Sequence, residues 1–226
     1  NSNLPSNPEI VNPLIYFGFS PSLRYTWVVD LIKDEIHILT ECEETTRQAI
    51  RKYLNDDEFY FEETNQSTKE RDFIDFVQLS EETYKRTFGM DFCKRYYQDV
   101  FQYSPQIFRV FFIRKRSNND AIATAAMLIS NNTAKYFLGA SINERPVGIN
   151  KYLIYRIMLE LKHSGIDFLE TGGAYPFLPK TSKRRGISDF KKSFGTHLHI
   201  VHAGVFYSNN PVFWKDKLKA AKEELK

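Results

Sequence analysis

The stretch that decides the fold is TAKYFLGASINERPVGINKYLIYRIMLELKHSGIDFLETGG, residues 133–173. Its beginning (133–141) has the composition of a strand, and a polar loop then leads into a helix from about Ile149 to His163. Leu, Ile and Met side chains recur at three-to-four spacing along this helix, which gives it one apolar stripe. A short apolar strand (166–171) follows and runs straight into Gly172-Gly173. The stretch therefore predicts a strand–helix–strand unit.

Two further apolar runs precede this unit, QIFRVFFIRKR (106–116) and DAIATAAMLIS (120–130). The turns that separate the three strand-like runs are SNN and NN, and short polar turns between apolar runs are typical of an antiparallel meander. A meander that feeds a helix–strand unit gives a mixed sheet with helices on both faces. The predicted fold class is therefore α/β (α+β), with a mixed, mainly antiparallel sheet.

Periodicity and composition predict further elements on both sides of this core. One helix is expected from Asp30 or Asp34 to about Leu54, although IHILT near its start equally fits a short strand. The other elements are strands at 24–31, 58–63 and 197–207, helices at 71–87, 92–103 and 211–225, and a basic loop with a short helix at 178–194. The expected organisation is an N-terminal lead-in without regular structure (1–23), one domain (24–207) and a C-terminal helix that packs on it (208–226).

The overall composition excludes several classes of protein. With 226 residues, 42% hydrophobic and 15% aromatic, the chain can bury a sizeable core and is not expected to be disordered. A net charge of +3 is too small to indicate a nucleic-acid binder by itself. Cys42 and Cys93 form no disulfide framework, which favours a cytoplasmic location, and no apolar run approaches the ~18–20 residues of a membrane span.

An ordered set of motifs resembles the second lobe of the Fem-type aminoacyltransferases, the peptidoglycan-bridge-forming and methicillin-resistance-type enzymes of the GNAT superfamily. The resemblance covers roughly residues 24–207. The matching segments are TWVVDL (26–31), ETTRQAIRK (44–52), Tyr136 to Ser141, Glu170-Thr171-Gly172-Gly173 and Phe190-Lys191-Lys192-Ser193-Phe194-Gly195.

The resemblance implies a GNAT-like fold and an N-acyltransferase. Such an enzyme moves an acyl or aminoacyl group from acyl-CoA or aminoacyl-tRNA, as co-substrate, to an amine of a cell-wall, nucleotide-sugar or small-molecule acceptor, with no tightly bound cofactor. Fem-type enzymes have two lobes, and this sequence matches only the second. The other lobe precedes Asn1, comes from another subunit as in a homodimer, or is absent. The alternative interpretation is a catalytically inactive GNAT-like binding scaffold, or the partner lobe of a two-lobe transferase.

Three residues are predicted to be catalytic. By resemblance, Lys191 lies at the reaction centre, where its ammonium stabilises charge on the acyl carbonyl or on a phosphate. Glu170 is interpreted either as the group that orients or deprotonates the attacking amine, or as a hydrogen-bond anchor. Tyr136 is interpreted as a proton donor to the leaving group or as a tyrosine at the edge of the core. Gly172 and Gly173 would let a substrate backbone approach closely at the strand end.

Two features predict binding of a phosphate-bearing substrate or donor. Arg145, Gly148 and Asn150 stand where GNAT enzymes carry R-x-x-G-x-G/A, a helix N-terminus that binds the pyrophosphate of coenzyme A. Asn150 replaces the last glycine, and an ordinary loop with a helix cap is the competing interpretation. The second feature is a cluster of cations beside Phe190, opposed only by Asp189: Lys180, Lys183, Arg184, Arg185, Lys191 and Lys192.

This basic stretch suits a diphosphate, a nucleotide-linked precursor or a tRNA acceptor stem, and a solvated basic loop is the alternative. Arg47 and Arg51 share one helix face, which would point to the donor or acceptor or to solvent. His197 and His199 share a strand face while His202 points the other way. No carboxylate or cysteine completes a ligand set, so no metal site is predicted.

Overall fold

A computed structural model describes Leu14, residues 19–103 and residues 106–205. The predicted C-terminal helix and most of the predicted lead-in segment fall outside these residues. The chain divides into two compact units, one of residues 1–25 with 200–226 and the other of Thr26–His199. The second unit holds most of the sheet and all of the helices described below.

The described residues form seven strands and six helices. The strands are β1 (Ser20–Asp30), β2 (Phe59–Glu63), β3 (Phe108–Lys115), β4 (Ala121–Ser130), β5 (Thr133–Ser141), β6 (Phe168–Gly173) and β7 (His197–Val205). The helices are α1 (Glu35–Glu41), α2 (Glu44–Leu54), α3 (Lys69–Phe88), α4 (Lys94–Tyr103), α5 (Ile149–His163) and α6 (Lys183–Lys192).

The strands form one sheet in the order β2-β3-β4-β5-β6-β1-β7. Strands β3, β4 and β5 are the predicted antiparallel meander. Strand β6 pairs in parallel with β5, because α5 carries the chain from the end of β5 back to the start of β6. On its other side β6 pairs antiparallel with β1. The predicted mixed, mainly antiparallel sheet is confirmed.

Helices cover both faces of the sheet, as predicted. Alternate side chains of β3 point to opposite faces, so Phe111 and Ile113 join one hydrophobic cluster and Val110 and Phe112 join another. The first cluster is completed by α1, α2 and α5, and the second by α3 and α4. Two separate cores therefore hold the sheet from its two sides.

The single helix predicted up to Leu54 is wrong, because the structure has two helices there. Asp34, one of the two residues predicted to begin the helix, is the N-cap of α1. Its carboxylate accepts a hydrogen bond from the His37 backbone N–H at 2.8 Å. The chain then breaks at Cys42. There the Arg47 guanidinium donates hydrogen bonds to the carbonyl oxygens at the end of α1, including that of Thr40 at 2.9 Å. Arg47 is thus a capping residue of α1.

A buried ionic network ties α3 to the sheet. The guanidinium of Arg114 on β3 is almost fully buried, with 1% of its side chain exposed. It donates to Glu62 on β2 at 2.7 Å and to Asp72 and Asp75 on α3 at 2.6 and 2.7 Å. Arg71 adds a second cation, which contacts Glu62 and Asp72. Each buried charge thereby has a partner of opposite sign.

None of the helices that the structure describes is long and apolar enough to cross a membrane.

Candidate active site

The parallel pair β5–β6 separates after three residues. Its register runs from Thr133–Phe168 to Lys135–Glu170, and beyond this point the two strands no longer pair. Strand β5 continues beside β4 alone, and β6 continues beside β1, with Thr26 opposite Gly173. The sheet therefore opens into a fork. Gly172 and Gly173 form one arm of this fork, and Tyr136 begins the other.

A cleft of about 660 Å³ lies along the β5 arm of the fork. Its walls are β5, the last turns of α3, the first turns of α5 and one side of α6. The structure thus brings together residues that are up to 108 positions apart in the sequence, from Thr83 to Lys191. Of the predicted site residues, those that line the cleft are Tyr136, Arg145, Asn150, Lys183, Phe190 and Lys191.

The amine of Lys191 lies inside the fork. It donates a hydrogen bond to the Gly173 carbonyl oxygen at 3.5 Å and stands 5.7 Å from the centre of the Tyr136 ring. A Cβ atom at Gly172 would come within 3.2 Å of this amine, and the φ of Gly172 is +79°. The left-handed backbone at Gly172 therefore favours glycine, and a Cβ there would also displace the Lys191 amine by a few tenths of an ångström.

Burial lowers the pKa of Lys191 from 10.5 to about 8. Nearby Lys135 lowers this pKa further, while nearby Glu170 opposes the shift by stabilising the ammonium. At neutral pH the amine is therefore mostly charged, yet it can lose its proton within the physiological range.

Helix α6, which carries Lys191, is held against the core by buried hydroxyl groups. The Ser188 oxygen accepts hydrogen bonds from the indole N–H of Trp27 at 3.0 Å and from the Tyr175 backbone N–H at 2.9 Å. At the end of α6, Ser193 accepts from the hydroxyl of Thr46 at 2.8 Å. These contacts join α6 to β1 and α2, so the position of Lys191 is fixed from several elements.

The last residues of the Phe-Lys-x-x-Phe-Gly motif, Phe194 and Gly195, have a structural role. Phe194 is buried at 1% exposure and makes an edge contact with Phe190 at 5.3 Å between ring centres. Gly195 has a φ of +73°, and a Cβ there would lie 2.6 Å from that of Glu41. The motif therefore docks α6 as well as presenting Lys191.

A β-bulge sets the direction of Tyr136. Ala126 pairs with Leu138 and Met127 pairs with Tyr136, so Phe137 is an extra residue in β5. The bulge brings Tyr136 and Gly139 to the same face, although they are three positions apart in the strand. A Cβ at Gly139 would lie 1.7 Å from the Tyr136 hydroxyl oxygen, so only glycine leaves space for the phenol.

Burial also raises the pKa of Tyr136 to about 12. Its hydroxyl therefore stays protonated at neutral pH and is available as a donor. Gly139 was not predicted from the sequence, although a glycine inside an apolar strand is a known sign of a bulge or of a close approach.

Glu170 is placed differently from the other predicted catalytic residues. Alternation along β6 turns Glu170 away from the face of its buried neighbour Leu169. Its carboxylate pairs with Lys135 at 3.2 Å, directly across the β5–β6 register. Glu170 does not line the described cleft. This geometry favours the hydrogen-bond anchor over the base.

Packing accounts for Gly148 in the R-x-x-G-x-N loop. The residue has a φ of +88°, and a Cβ there would lie 2.8 Å from the Cβ of Ala49 on α2. The backbone N–H groups of Ile149 and Lys151 already donate to the carbonyl oxygens of Pro146 and Gly148, at 3.2 and 2.9 Å. These contacts favour the ordinary helix cap over a pyrophosphate loop.

The basic stretch is mostly helical, and its cations do not converge on one point. Lys183 lines the cleft. Arg185 is engaged by Asp189 at 2.7 Å, and Arg184 lies 5.6 Å from the centre of the Tyr175 ring. Lys180 and Lys192 are exposed, as is Arg51 on α2, which does not line the cleft. Helix α6 is the short helix predicted within 178–194, and of the six predicted cations only Lys183 and Lys191 line the described cleft.

Histidines do not gather at a metal site in the described part of the chain, where no three His, Cys, Asp or Glu residues could together hold a metal ion. His197 and His199 are exposed on β7, and the side chain of His202 lies outside the described residues. Cys42 is buried, which raises the pKa of its thiol to about 11.

Solved structures show which fold this is. FemX superposes with a TM-score of 0.67 at 15% identity over 85% of this chain and 63% of its own. The C-terminal domain named for a lysylphosphatidylglycerol synthetase of Agrobacterium fabrum gives 0.65 at 18% identity, covering 95% and 69%. L-PGS of Bacillus licheniformis gives 0.61 at 13% identity, covering 94% and 70%.

The chain has the GNAT-like, Fem-type fold. No protein-family model matches its sequence, and no curated protein is similar to it in sequence. The resemblance predicted from the ordered motifs is confirmed at the level of the fold. Because the chain spans only 63% of FemX, the activity of a whole protein of that kind does not follow from the fold.

Proposed function

We propose that this cleft transfers an acyl or aminoacyl group from an activated donor to an amine. The observation that carries the proposal is the Lys191 amine, which is held inside the sheet fork beside the Tyr136 phenol. The likeness of the fold to FemX and to proteins named as lysylphosphatidylglycerol synthetases supports transfer chemistry in general.

In this reaction negative charge develops on two atoms, the carbonyl oxygen and the leaving atom, and the site has to stabilise both. The acceptor amine attacks the carbonyl carbon of an ester or thioester, the C–N bond forms, and the carbonyl oxygen becomes negative. The bond to the leaving oxygen or sulfur then breaks, and the leaving atom takes a proton. The Lys191 ammonium stabilises the oxyanion, and the protonated Tyr136 hydroxyl gives its proton to the leaving atom. The Tyr136 phenolate then takes up the proton that the acceptor nitrogen releases, so the cycle closes with no net change in the protein.

The charge of the cleft supports an anionic donor or acceptor. Arg86, Arg145, Lys183 and Lys191 line it, and no Asp or Glu is among the cleft-lining residues that the structure describes. Both aminoacyl-tRNA and acyl-CoA meet this requirement, and so does a nucleotide-linked acceptor. We also propose that the chain works with a further lobe or with a second copy of itself, and that it is located in the cytoplasm.

Substitution of Lys191 tests the transfer reaction. Purified protein is incubated with a panel of aminoacyl-tRNAs and acyl-CoAs and a set of cell-wall and amino-sugar amines, and products are followed by mass spectrometry. We expect Lys191→Ala to lower turnover about a hundredfold or more, because one preorganised donor to an oxyanion is worth that much. Lys192→Ala, which removes the adjacent exposed amine, should leave turnover unchanged.

Product formation that is equally fast in Lys191→Ala would overturn the assignment of Lys191. If the wild-type protein binds members of the panel yet transfers nothing, the chain is a binding scaffold and the transfer proposal fails.

A further inference from the structure

Two walls of the cleft carry large apolar side chains that the fold leaves uncovered. Phe88 at the end of α3 is 55% exposed and Ile187 on α6 is 39% exposed, and both line the cleft. Apolar side chains of a surface helix usually pack against the core. Two that face one cavity instead form a surface that an apolar ligand would cover.

Further apolar side chains line the same cleft more deeply. Leu138 on β5 and Leu153 and Ile154 on α5 are 6%, 2% and 4% exposed, so they belong to its floor. Ile154 and Phe190 also line a small cavity next to Lys191. The apolar surface of the cleft therefore reaches the proposed reaction centre.

One face of α6 places apolar and charged groups side by side. Ile187 lies about one helical turn before Lys191, and Lys183 lies about one turn before Ile187. These three residues and Phe190 all line the cleft. A ligand whose carbonyl group lies at the Lys191 amine can therefore extend its chain along the Ile187 side chain.

The cations of the cleft disfavour a chain that carries an ammonium group. Lys183 and Lys191 belong to α6, Arg86 to α3 and Arg145 to the loop before α5, so positive charge lines the cleft from two helices and a loop. Two like charges about 6 Å apart near a protein surface repel each other by tenfold or more in an equilibrium constant.

Glu170 does not offset these cations. Its carboxylate stabilises the Lys191 ammonium, but it pairs with Lys135 at 3.2 Å and does not line the described cleft. An acceptor amine is compatible with these surroundings, because nearby cations favour its neutral form, which is the form that attacks a carbonyl carbon. An alkylammonium at the end of a ligand chain stays charged at neutral pH and is repelled.

We infer that the cleft holds an apolar, uncharged chain as the group it transfers, that this chain lies along Ile187 and Phe190, and that a chain ending in an ammonium group is excluded. Ile187 is then a specificity-determining residue. The inference rests on the proposed function, because it names the class of group that the same site transfers. A leucyl group and a short fatty acyl group share this chemistry, and a lysyl group lacks it.

Three small phosphates test the preference of the cleft: propyl phosphate, hexyl phosphate and 6-aminohexyl phosphate, whose chain ends in an ammonium group. Their dissociation constants are measured by NMR titration of the wild-type protein. We expect hexyl phosphate to bind at least tenfold more tightly than propyl phosphate, because each buried methylene contributes about fourfold. We expect 6-aminohexyl phosphate to bind at least tenfold more weakly than hexyl phosphate.

A carboxylate in place of Ile187 should alter this selection. In Ile187→Glu the ratio of the dissociation constants of 6-aminohexyl and hexyl phosphate should fall at least fivefold. Ile187→Gln, which has the same shape without the charge, should keep a ratio several-fold higher than that of Ile187→Glu. Phe88→Glu, on another wall of the cleft, serves if Ile187→Glu does not fold.

Ile74→Glu is the matched control, because Ile74 is 64% exposed on α3 and does not line the cleft. It adds the same charge and should keep the ratio of the wild-type protein. Equal binding of hexyl and 6-aminohexyl phosphate to the wild-type protein would overturn the inference. So would the same affinity for propyl and hexyl phosphate, or an equal fall of the ratio in Ile187→Glu and Ile74→Glu.

Turnover separates the inference from the proposed function. Leucyl-tRNA and hexanoyl-CoA are compared as donors with lysyl-tRNA, and the faster of the first two identifies the source of the apolar chain. A protein that binds the three phosphates as expected but transfers nothing loses the proposed function alone. A protein that transfers lysyl groups as fast as leucyl and hexanoyl groups keeps the proposed function and loses the inference.

Discussion

Lys191 keeps a charge in surroundings that disfavour it. Its pKa falls to about 8 in the folded protein, from 10.5, chiefly through burial. Between these two pH values the unfolded chain binds more protons than the folded one, so folding becomes more favourable as the pH rises through this range. The penalty is fully present below pH 8 and is gone above about pH 10.5.

Replacement of this amine by an uncharged chain of similar length should therefore stabilise the protein. We expect Lys191→Met to raise the free energy of unfolding at pH 7 by about 1–2 kcal/mol, after allowance for partial exposure of the side chain. The gain over wild type should shrink between pH 8 and 10.5, as followed by thermal unfolding across this range. Lys192→Met is the exposed control, and a Lys191→Met variant less stable than wild type at pH 7 would contradict the burial argument.

Gly139 makes the position of Tyr136 possible. Gly139→Ala should displace the phenol, because the new Cβ would lie 1.7 Å from its oxygen. We expect a loss of about 1–3 kcal/mol of stability from overpacking, and a rise in the Lys191 pKa measured by NMR as water reaches the amine. Gly186→Ala, in α6 with nothing within 4 Å of its new Cβ, should be neutral or stabilising. An unchanged Lys191 pKa in Gly139→Ala would show that Tyr136 does not shield it.

At the scale of elements, the Ser188 hydroxyl is one of the buried contacts that hold α6 against the core. Ser188→Ala leaves the Trp27 indole N–H and the Tyr175 backbone N–H without their acceptor, which should cost about 2–3 kcal/mol. The loss is measured by denaturant unfolding, together with a change in Trp27 fluorescence. Ser182→Ala is the matched control, since this serine caps α6 without a side-chain hydrogen bond. Equal stability of the two variants would mean that other contacts dock the helix.

The bounds of some elements can be predicted from the sequence, and those of others cannot. Helix α5 was predicted with its observed ends, because its apolar stripe and its following glycine are local signals. The break between α1 and α2 was missed, because the Arg47 guanidinium caps α1 from the next helix. The bulge at Phe137 depends on which residues of β4 lie opposite, and no local pattern in β5 reveals that.

The same distinction applies to the site. Lys191, Gly172 and Gly173 were predicted from motifs, and the structure brings them together. The six cations of the basic stretch were predicted to bind a phosphate-bearing substrate together, but only Lys183 and Lys191 of them line the described cleft. Gly139 was missed because its role depends on a neighbour in space, the Tyr136 phenol.

At the scale of the molecule, the network around Arg114 fastens α3 to the outer strands of the sheet. Removing this guanidinium leaves Glu62, Asp72 and Asp75 without their central cation. We expect Arg114→Met to cost about 3–5 kcal/mol, as for other buried ion pairs that lose one partner. The measurement is the free energy of unfolding in denaturant. Arg116→Met, which removes an exposed guanidinium two residues away, should change it by less than about 1 kcal/mol.

The close contact between Gly148 and Ala49 restricts which substitutions these two positions can accept during evolution. The helices α2 and α5 meet there with no room for a Cβ at Gly148, which would lie 2.8 Å from that of Ala49. A larger residue at Gly148 therefore needs a compensating change at Ala49 or a shift of a whole helix. In an alignment of related chains the two positions should vary jointly, and the glycine would mark how closely two helices approach, whichever ligands those relatives bind.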